Sequence, residues 1–223
     1  MHQVSERMNR VLPSATSAVL NLAAKLKDEG KDIISLGAGE PDFDTPLHIK
    51  EAAIKAIKDG HTKYTAIDGT LTLKKAIINK FIQDNDLIYD YDQIIVSSGA
   101  KQTLFNLCMG LLQHGDEAII PSPYWVSYPD MVRIADATPR FIETSIESNF
   151  KISPKMLKDS LNDKTRLIFL NSPSNPTGSC YTKKELIEIG DVLLNYPNVI
   201  IASDDIYEKI HWGKSKFYNI GTA

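Results

Sequence analysis

From residue 92 onward, short apolar runs alternate with segments of helical spacing, and this alternation limits the possible folds more than any other feature of the chain. The runs are Ile94–Val96, Ala118–Ile120, Pro139–Glu143, Arg166–Leu170 and Val199–Ala202; between them lie Lys101–His114, Val126–Ala135, Pro154–Leu161 and Lys183–Leu194. Continuous apolar strands separated by helices predict an α/β fold, a mostly parallel sheet with helices on both faces. The first third reads differently. Ser14–Gly30 has helical spacing, Asp32–Leu36 is short and extended, and two glycines and two prolines in residues 37–46 mark irregular backbone. A helix follows, with Thr45 as its cap and Pro46 at its first helical position, ending near Gly60; Leu71–Asp84 predicts another.

The 25 basic and 28 acidic residues leave a formal charge of −3, with no footprint for nucleic acid. The densest basic group, Lys74, Lys75 and Lys80, reads as a solvated helix face. No apolar run approaches the roughly eighteen residues of a membrane span. Residues 1–7 are polar and lack a secretory stretch. Two cysteines, Cys108 and Cys180, make neither a disulfide framework nor a four-cysteine zinc site, and a cytoplasmic setting is expected.

Ligands of open parallel sheets bind beyond the carboxyl ends of the strands. The segments found there are Ser97–Gln102, Pro121–Trp125, Asn171–Gly178 and Ser203–Glu208. Gly99 permits close backbone approach, and the free N–H groups opening the next helix favour an anion such as phosphate. A plain strand-to-helix turn is the alternative. Taken singly, Trp125 reads first as core, Asn175 as a turn former, and Asp204 or Asp205 as a helix cap. The convergence of all of them on one edge suits a flat, polar, phosphorylated ring.

Five ordered blocks carry a resemblance along essentially the whole chain: Ser35–Pro46, Thr62–Tyr64, Pro123–Pro129, Asn171–Gly178 and Ser203–Glu208. They resemble pyridoxal-phosphate aminotransferases of the aspartate aminotransferase type, fold type I. The resemblance implies an incomplete cofactor-binding large domain over residues 46–223. Residues 1–45 would contribute to the small domain and to closure over the substrate. It implies that Ser98, Gly99 and Ala100 hold the phosphate of pyridoxal 5'-phosphate and that Tyr64 reaches the phosphate of a neighbouring subunit in a homodimer. Trp125 would lie against the ring and help seat the substrate. Asn175 and Tyr207 would bond its phenolic oxygen. Asp204, rather than Asp205, would pair with the pyridine nitrogen and keep it protonated. Gly39 would meet the substrate α-carboxylate, Thr16 lies in the closing segment, and Lys101 would meet a side-chain carboxylate. The implied substrates are an amino acid, acidic by the Lys101 criterion, and a 2-oxo acid, with no nucleic-acid or membrane partner. An alternative for Lys101 is a surface lysine, disfavoured beside the positive end of a helix.

The family's lysine that forms a Schiff base with the cofactor is expected beyond Ala223. Ser215-Lys216 is followed by Phe217-Tyr218-Asn219 instead of a Gly-Trp-Arg run, and it falls too soon after Asp204. The arginine that clamps the α-carboxylate is also expected further on. The chain by itself is therefore expected not to transaminate and to leave a sheet edge unpaired. Two other readings stay open: a non-catalytic remnant or heterodimer partner of a full-length aminotransferase, and a pyridoxal-phosphate lyase of the same fold.

Overall fold

The computed structural model describes residues 4–11, 13, 15–37, 39–212 and 216–223, at residue 15 the backbone alone. Ser14, Ala38 and Ser215, which figured in the expectations above, lie outside the described residues. The chain forms two compact units. One is Leu12–Ile67; the other joins Met1–Val11 to Asp68–Ala223.

The smaller unit holds helices α1 (Ala15–Asp28) and α2 (Leu47–Lys58). The cap of α2 differs from the expectation. Pro46 itself stands at the cap, with ψ 138 outside the helical range, and its carbonyl accepts from the N–H groups of Ile49 (2.9 Å) and Lys50 (3.2 Å). Proline's fixed φ suits extended and helical backbone alike, so ψ decides, and the helix begins one residue later. Asp44 rather than Thr45 serves this end, accepting from Thr45 N–H at 2.8 Å and pairing with Lys50. Asp32–Leu36 joins no ladder among the described residues.

The larger unit is built on four strands, all parallel, in the order β2-β1-β3-β4: β1 Glu117–Ser122, β2 Thr138–Glu143, β3 Thr165–Asn171 and β4 Ile200–Asp204. Its helices are α3 (Leu71–Asn85), α4 (Ala100–Leu111), α5 (Ser127–Ile134), α6 (Pro154–Ser160) and α7 (Lys183–Leu193). Successive strand residues point to opposite faces, and both faces are covered. Ala118, Ile120, Leu167, Phe169 and Ala202 meet Leu104 and Cys108 of α4 and Tyr128, Met131 and Val132 of α5. Ile119, Ile142, Ile168 and Leu170 meet Leu157 of α6 and Leu186, Ile189 and Leu193 of α7. That two-sided burial is why the central strands β1 and β3 read as apolar runs, and each fully buried isoleucine or leucine contributes about 1.5–3 kcal/mol.

Ile94–Val96 is not a strand. Ile94 is buried, but Ile95 is largely exposed and Val96 N–H bonds the carbonyl of Asp68 instead of a ladder. A strand exists only by pairing, and this extended segment has no ladder partner among the described residues. Among those residues β4 likewise pairs only with β3. The lysine group departs from expectation too: Lys74 is 3% exposed, pairs with Asp68 and donates to the Tyr91 carbonyl at 2.8 Å. Its charge is matched on both counts, as a buried lysine requires.

Two buried acids of the core make an alkaline prediction. Burial pushes the Cys108 thiol up to about 12 and the Tyr181 phenol, which accepts from Ile152 N–H at 2.9 Å, up to about 12 as well. Folded values raised above unfolded ones mean stability that is complete below about pH 8.5 and lost as pH climbs toward the folded values. Melting temperature should fall steadily from about pH 9 upward, and Cys108→Ala should flatten the early part of that fall. A wild-type midpoint constant over this range would contradict the burial of both groups.

Candidate functional site

Strand order reverses between β1 and β3: the chain moves outward from β1 to β2, then returns to β3 on the other side. Loops leaving such a switch point diverge, and a crevice opens at the carboxyl ends of the strands. There the structure has a cavity of about 180 Å³.

Its floor comes from two residues paired in register, Asn171 ending β3 and Asp204 ending β4. Asn171 ties both loops together. Its Nδ2 donates to the Asp204 carbonyl at 2.8 Å, and its Oδ1 accepts from Asn175 N–H at 2.7 Å. Asn175 Nδ2 in turn donates to Tyr207 Oη at 3.4 Å. Tyr128 Oη donates to Asp204 Oδ2 at 2.6 Å. The Tyr128 ring is stacked on Phe169, centroids 4.6 Å apart and 21° between planes, with Trp125 edge-on at 5.4 Å. Lys101 Nζ stands 5.0 Å from the Trp125 ring centroid, a cation–π contact.

The turn carrying Asp204 and Tyr207 is anchored to α3. Glu208 pairs with Lys80 at 2.5 Å and accepts from Asn85 Nδ2 at 2.9 Å, while Lys209 pairs with Asp84 at 3.1 Å. Asp205 is spent elsewhere: it accepts from Ser203 Oγ at 2.7 Å and from Asn219 Nδ2, and burial holds its carboxyl above the ordinary range. Of the two adjacent acids only Asp204 lines this cavity. A wider groove of about 750 Å³, bounded by α3, α4 and β4, shares Ala100, Asp204 and Ile206 with it.

Ala100, Lys101, Trp125, Asn175, Asp204 and Tyr207 thus surround one volume. Ser98 and Gly99 stand just before Ala100, where α4 begins, without lining the cavity. The Ser98 N–H donates to Gln102 Oε1 at 2.5 Å and the Gly99 N–H to the Ser97 carbonyl at 2.9 Å. The backbone conformation at Gly99 requires glycine. An added Cβ would meet nothing within 4 Å, but φ +84 with ψ 160 is backbone that only glycine adopts readily. Thr16, Gly39 and Tyr64 belong to the smaller unit, where each is exposed. Lys216 is exposed and does not line the cavity.

Tyr128 and Asn171 escaped sequence reasoning. Tyr128 follows Trp125 by three residues, a helical spacing that could have placed both on one face. Asn171 directly follows an apolar run, the same strand-end logic that picked out Asp204. Among the described residues no cluster of three metal-ligating side chains exists, and no helix is long and apolar enough to cross a membrane.

Comparisons with known proteins agree with this architecture. The model of the family described as aminotransferase class I and II matches residues 31–223. The aspartate/prephenate aminotransferase of Nitrosomonas europaea is 55% identical over 221 residues, 99% of this chain and 56% of that protein. The aspartate aminotransferase of Geobacillus stearothermophilus is 48% identical over 218 residues, 98% of this chain and 55% of the relative. The crystal structure of the Rhizobium meliloti aspartate aminotransferase superposes with a TM-score of 0.96 at 44% identity, over all of this chain and 56% of that one. The chain thus spans about half the length of the curated relatives it matches. With strands, helices and matched residues in one order, the chain belongs to the class I and II aminotransferases and has their fold type I architecture.

Proposed function

We propose that the cavity beside Asp204 binds pyridoxal 5'-phosphate and that the whole protein transfers an amino group between an amino acid and a 2-oxo acid. The family is generally pyridoxal-phosphate dependent, and the donor set here fits that group. The first turn of α4 offers unpaired N–H groups and a positive helix end to a phosphate. The Asp204 carboxylate offers an acceptor to a protonated ring nitrogen, the Trp125 indole a flat wall, and Asn175 with Tyr207 an amide–phenol pair for a ring oxygen. The observation that carries this reading is their meeting around one cavity of about 180 Å³.

In this proposal Ser98, Gly99 and Ala100 hold the phosphate, Asn175 and Tyr207 bind the phenolic oxygen, and Trp125 confines the ring. Asp204 holds a proton at the ring nitrogen. When bound, the cofactor supplies an electron sink for negative charge developing at the carbon that bears the amino group. Gly39 binds the substrate α-carboxylate, and residues 1–45, Thr16 included, close over it. Tyr64 reaches the phosphate held by a second copy in a homodimer, and the protein works in the cytoplasm. Calorimetric titration with pyridoxal 5'-phosphate is expected to give saturable one-to-one binding. Heat at the dilution level throughout would defeat the reading.

Lys101 is proposed to select a dicarboxylic substrate. Its ammonium stands over Trp125 at the cavity, beside the positive end of α4, where a cation needs an anionic partner. With cofactor bound, Lys101→Ala should weaken succinate binding about tenfold and leave propionate unchanged. Equal losses for both acids would remove Lys101 from side-chain recognition.

A further inference from the structure

Tyr128 has no assigned part in the proposed chemistry, yet it makes the shortest polar contact in the cavity. Its hydroxyl donates to Asp204 Oδ2 at 2.6 Å, and the residue is only 2% exposed. The ring is clamped between Phe169, stacked at 4.6 Å, and Trp125, edge-on at 5.4 Å. Burial, reinforced by the neighbouring Asp204 carboxylate, pushes its phenol well above the ordinary value. The hydroxyl is therefore a permanent donor, held by rings that leave it no other direction.

The consequence falls on Asp204. A carboxylate is free to turn about its last torsion, which is broad and roughly two-fold. With Oδ2 engaged by Tyr128, the remaining oxygen, Oδ1, receives only Ile206 N–H, at 3.4 Å, among the described residues. The geometry points to Tyr128 as a positioning residue that locks the Asp204 carboxylate so that Oδ1 is presented to the ring nitrogen of the cofactor. This inference rests on the reading of the cavity as a pyridine-ring site. Tyr128 touches neither substrate nor reacting atoms in this scheme; it acts through Asp204. Its contribution is preorganisation: without the phenol, part of the binding free energy goes to ordering the carboxylate.

The test compares two ligands by calorimetric titration of the chain: pyridoxamine 5'-phosphate, and its 1-deaza analogue in which a C–H replaces the ring nitrogen. The wild-type chain should prefer the nitrogen-containing ligand. Tyr128→Phe keeps the ring and its stack on Phe169, and should cut that preference roughly tenfold while leaving affinity for the deaza analogue unchanged. Tyr128→Met, which lacks both ring and hydroxyl, should cut it as much. In the Asp204→Asn background, adding Tyr128→Phe should cause no further loss, because the two residues act as one unit. A preference unaltered by Tyr128→Phe, or equal losses for both ligands, would overturn the positioning role. A wild-type chain that binds both ligands equally, or neither, would overturn the pyridine-site reading and this inference together. An effect of Asp204→Asn without one of Tyr128→Phe would overturn the inference alone.

Discussion

Asp204→Ala is expected to lower affinity for pyridoxal 5'-phosphate about a hundredfold, by removing a charge-assisted hydrogen bond worth roughly 1.5–3 kcal/mol. The carboxylate sits at the end of β4, in register with Asn171, and it takes the Tyr128 hydroxyl at 2.6 Å. Removing it leaves a donor that is 2% exposed with no acceptor at its end, so a stability loss of about 1–3 kcal/mol should accompany the loss of binding. Asp205→Ala is the contrast. That side chain is engaged by Ser203 and Asn219 away from the cavity, so cofactor affinity should change by less than about threefold. Calorimetric titration of both variants, with urea unfolding alongside, separates the two effects. An Asp204→Ala chain that binds as tightly as wild type would remove the carboxylate from the site.

Phe169→Ala should be the most damaging single core change, costing about 3–5 kcal/mol of unfolding free energy. The ring is 1% exposed, lies at the centre of the face covered by α4 and α5, and carries the stacked Tyr128. A domain of ordinary stability has about 5–15 kcal/mol in all, so this loss takes a large share of it. Phe169→Leu keeps most of the volume and should cost less than about 2 kcal/mol. Urea denaturation reads both. A Phe169→Ala midpoint within error of wild type would mean that the two-faced packing described here is wrong.

What the sequence disclosed follows from which interactions are local. The runs at 118–120 and 166–170 became the central strands β1 and β3 because burial on both faces writes itself as apolar sequence, whereas 139–143 and 199–202 became the outer strands β2 and β4, which are buried only in part. Ile94–Val96 has the same composition but no ladder, since pairing is a relation between segments and leaves no mark within one of them. The boundary at Thr45 and Pro46 moved because proline's φ admits two values of ψ. Lys74 looked like one more charge on a helix face, and only tertiary structure reveals Asp68 and the Tyr91 carbonyl around its ammonium.

The site was legible to the extent that strand ends dictate position. Trp125, Asn175 and Tyr207 follow β1, β3 and β4 closely, Asp204 ends β4, and parallel pairing brings those ends to one rim. Tyr128 was not, because a tyrosine in the first turn of a helix reads as core, and this one is core as well, stacked on Phe169. Asn171 stayed hidden because its amide acts on backbone groups that are near only after β3 and β4 have paired.

An experimental structure of the chain with pyridoxamine 5'-phosphate bound tests whether the cavity beside Asp204 is a pyridine-ring site. The ligand's ring nitrogen is expected within hydrogen-bonding distance of Asp204 Oδ1, its ring against Trp125, and its phosphate at the first turn of α4. A ligand seated elsewhere, or one whose ring nitrogen faces away from Asp204, would contradict it.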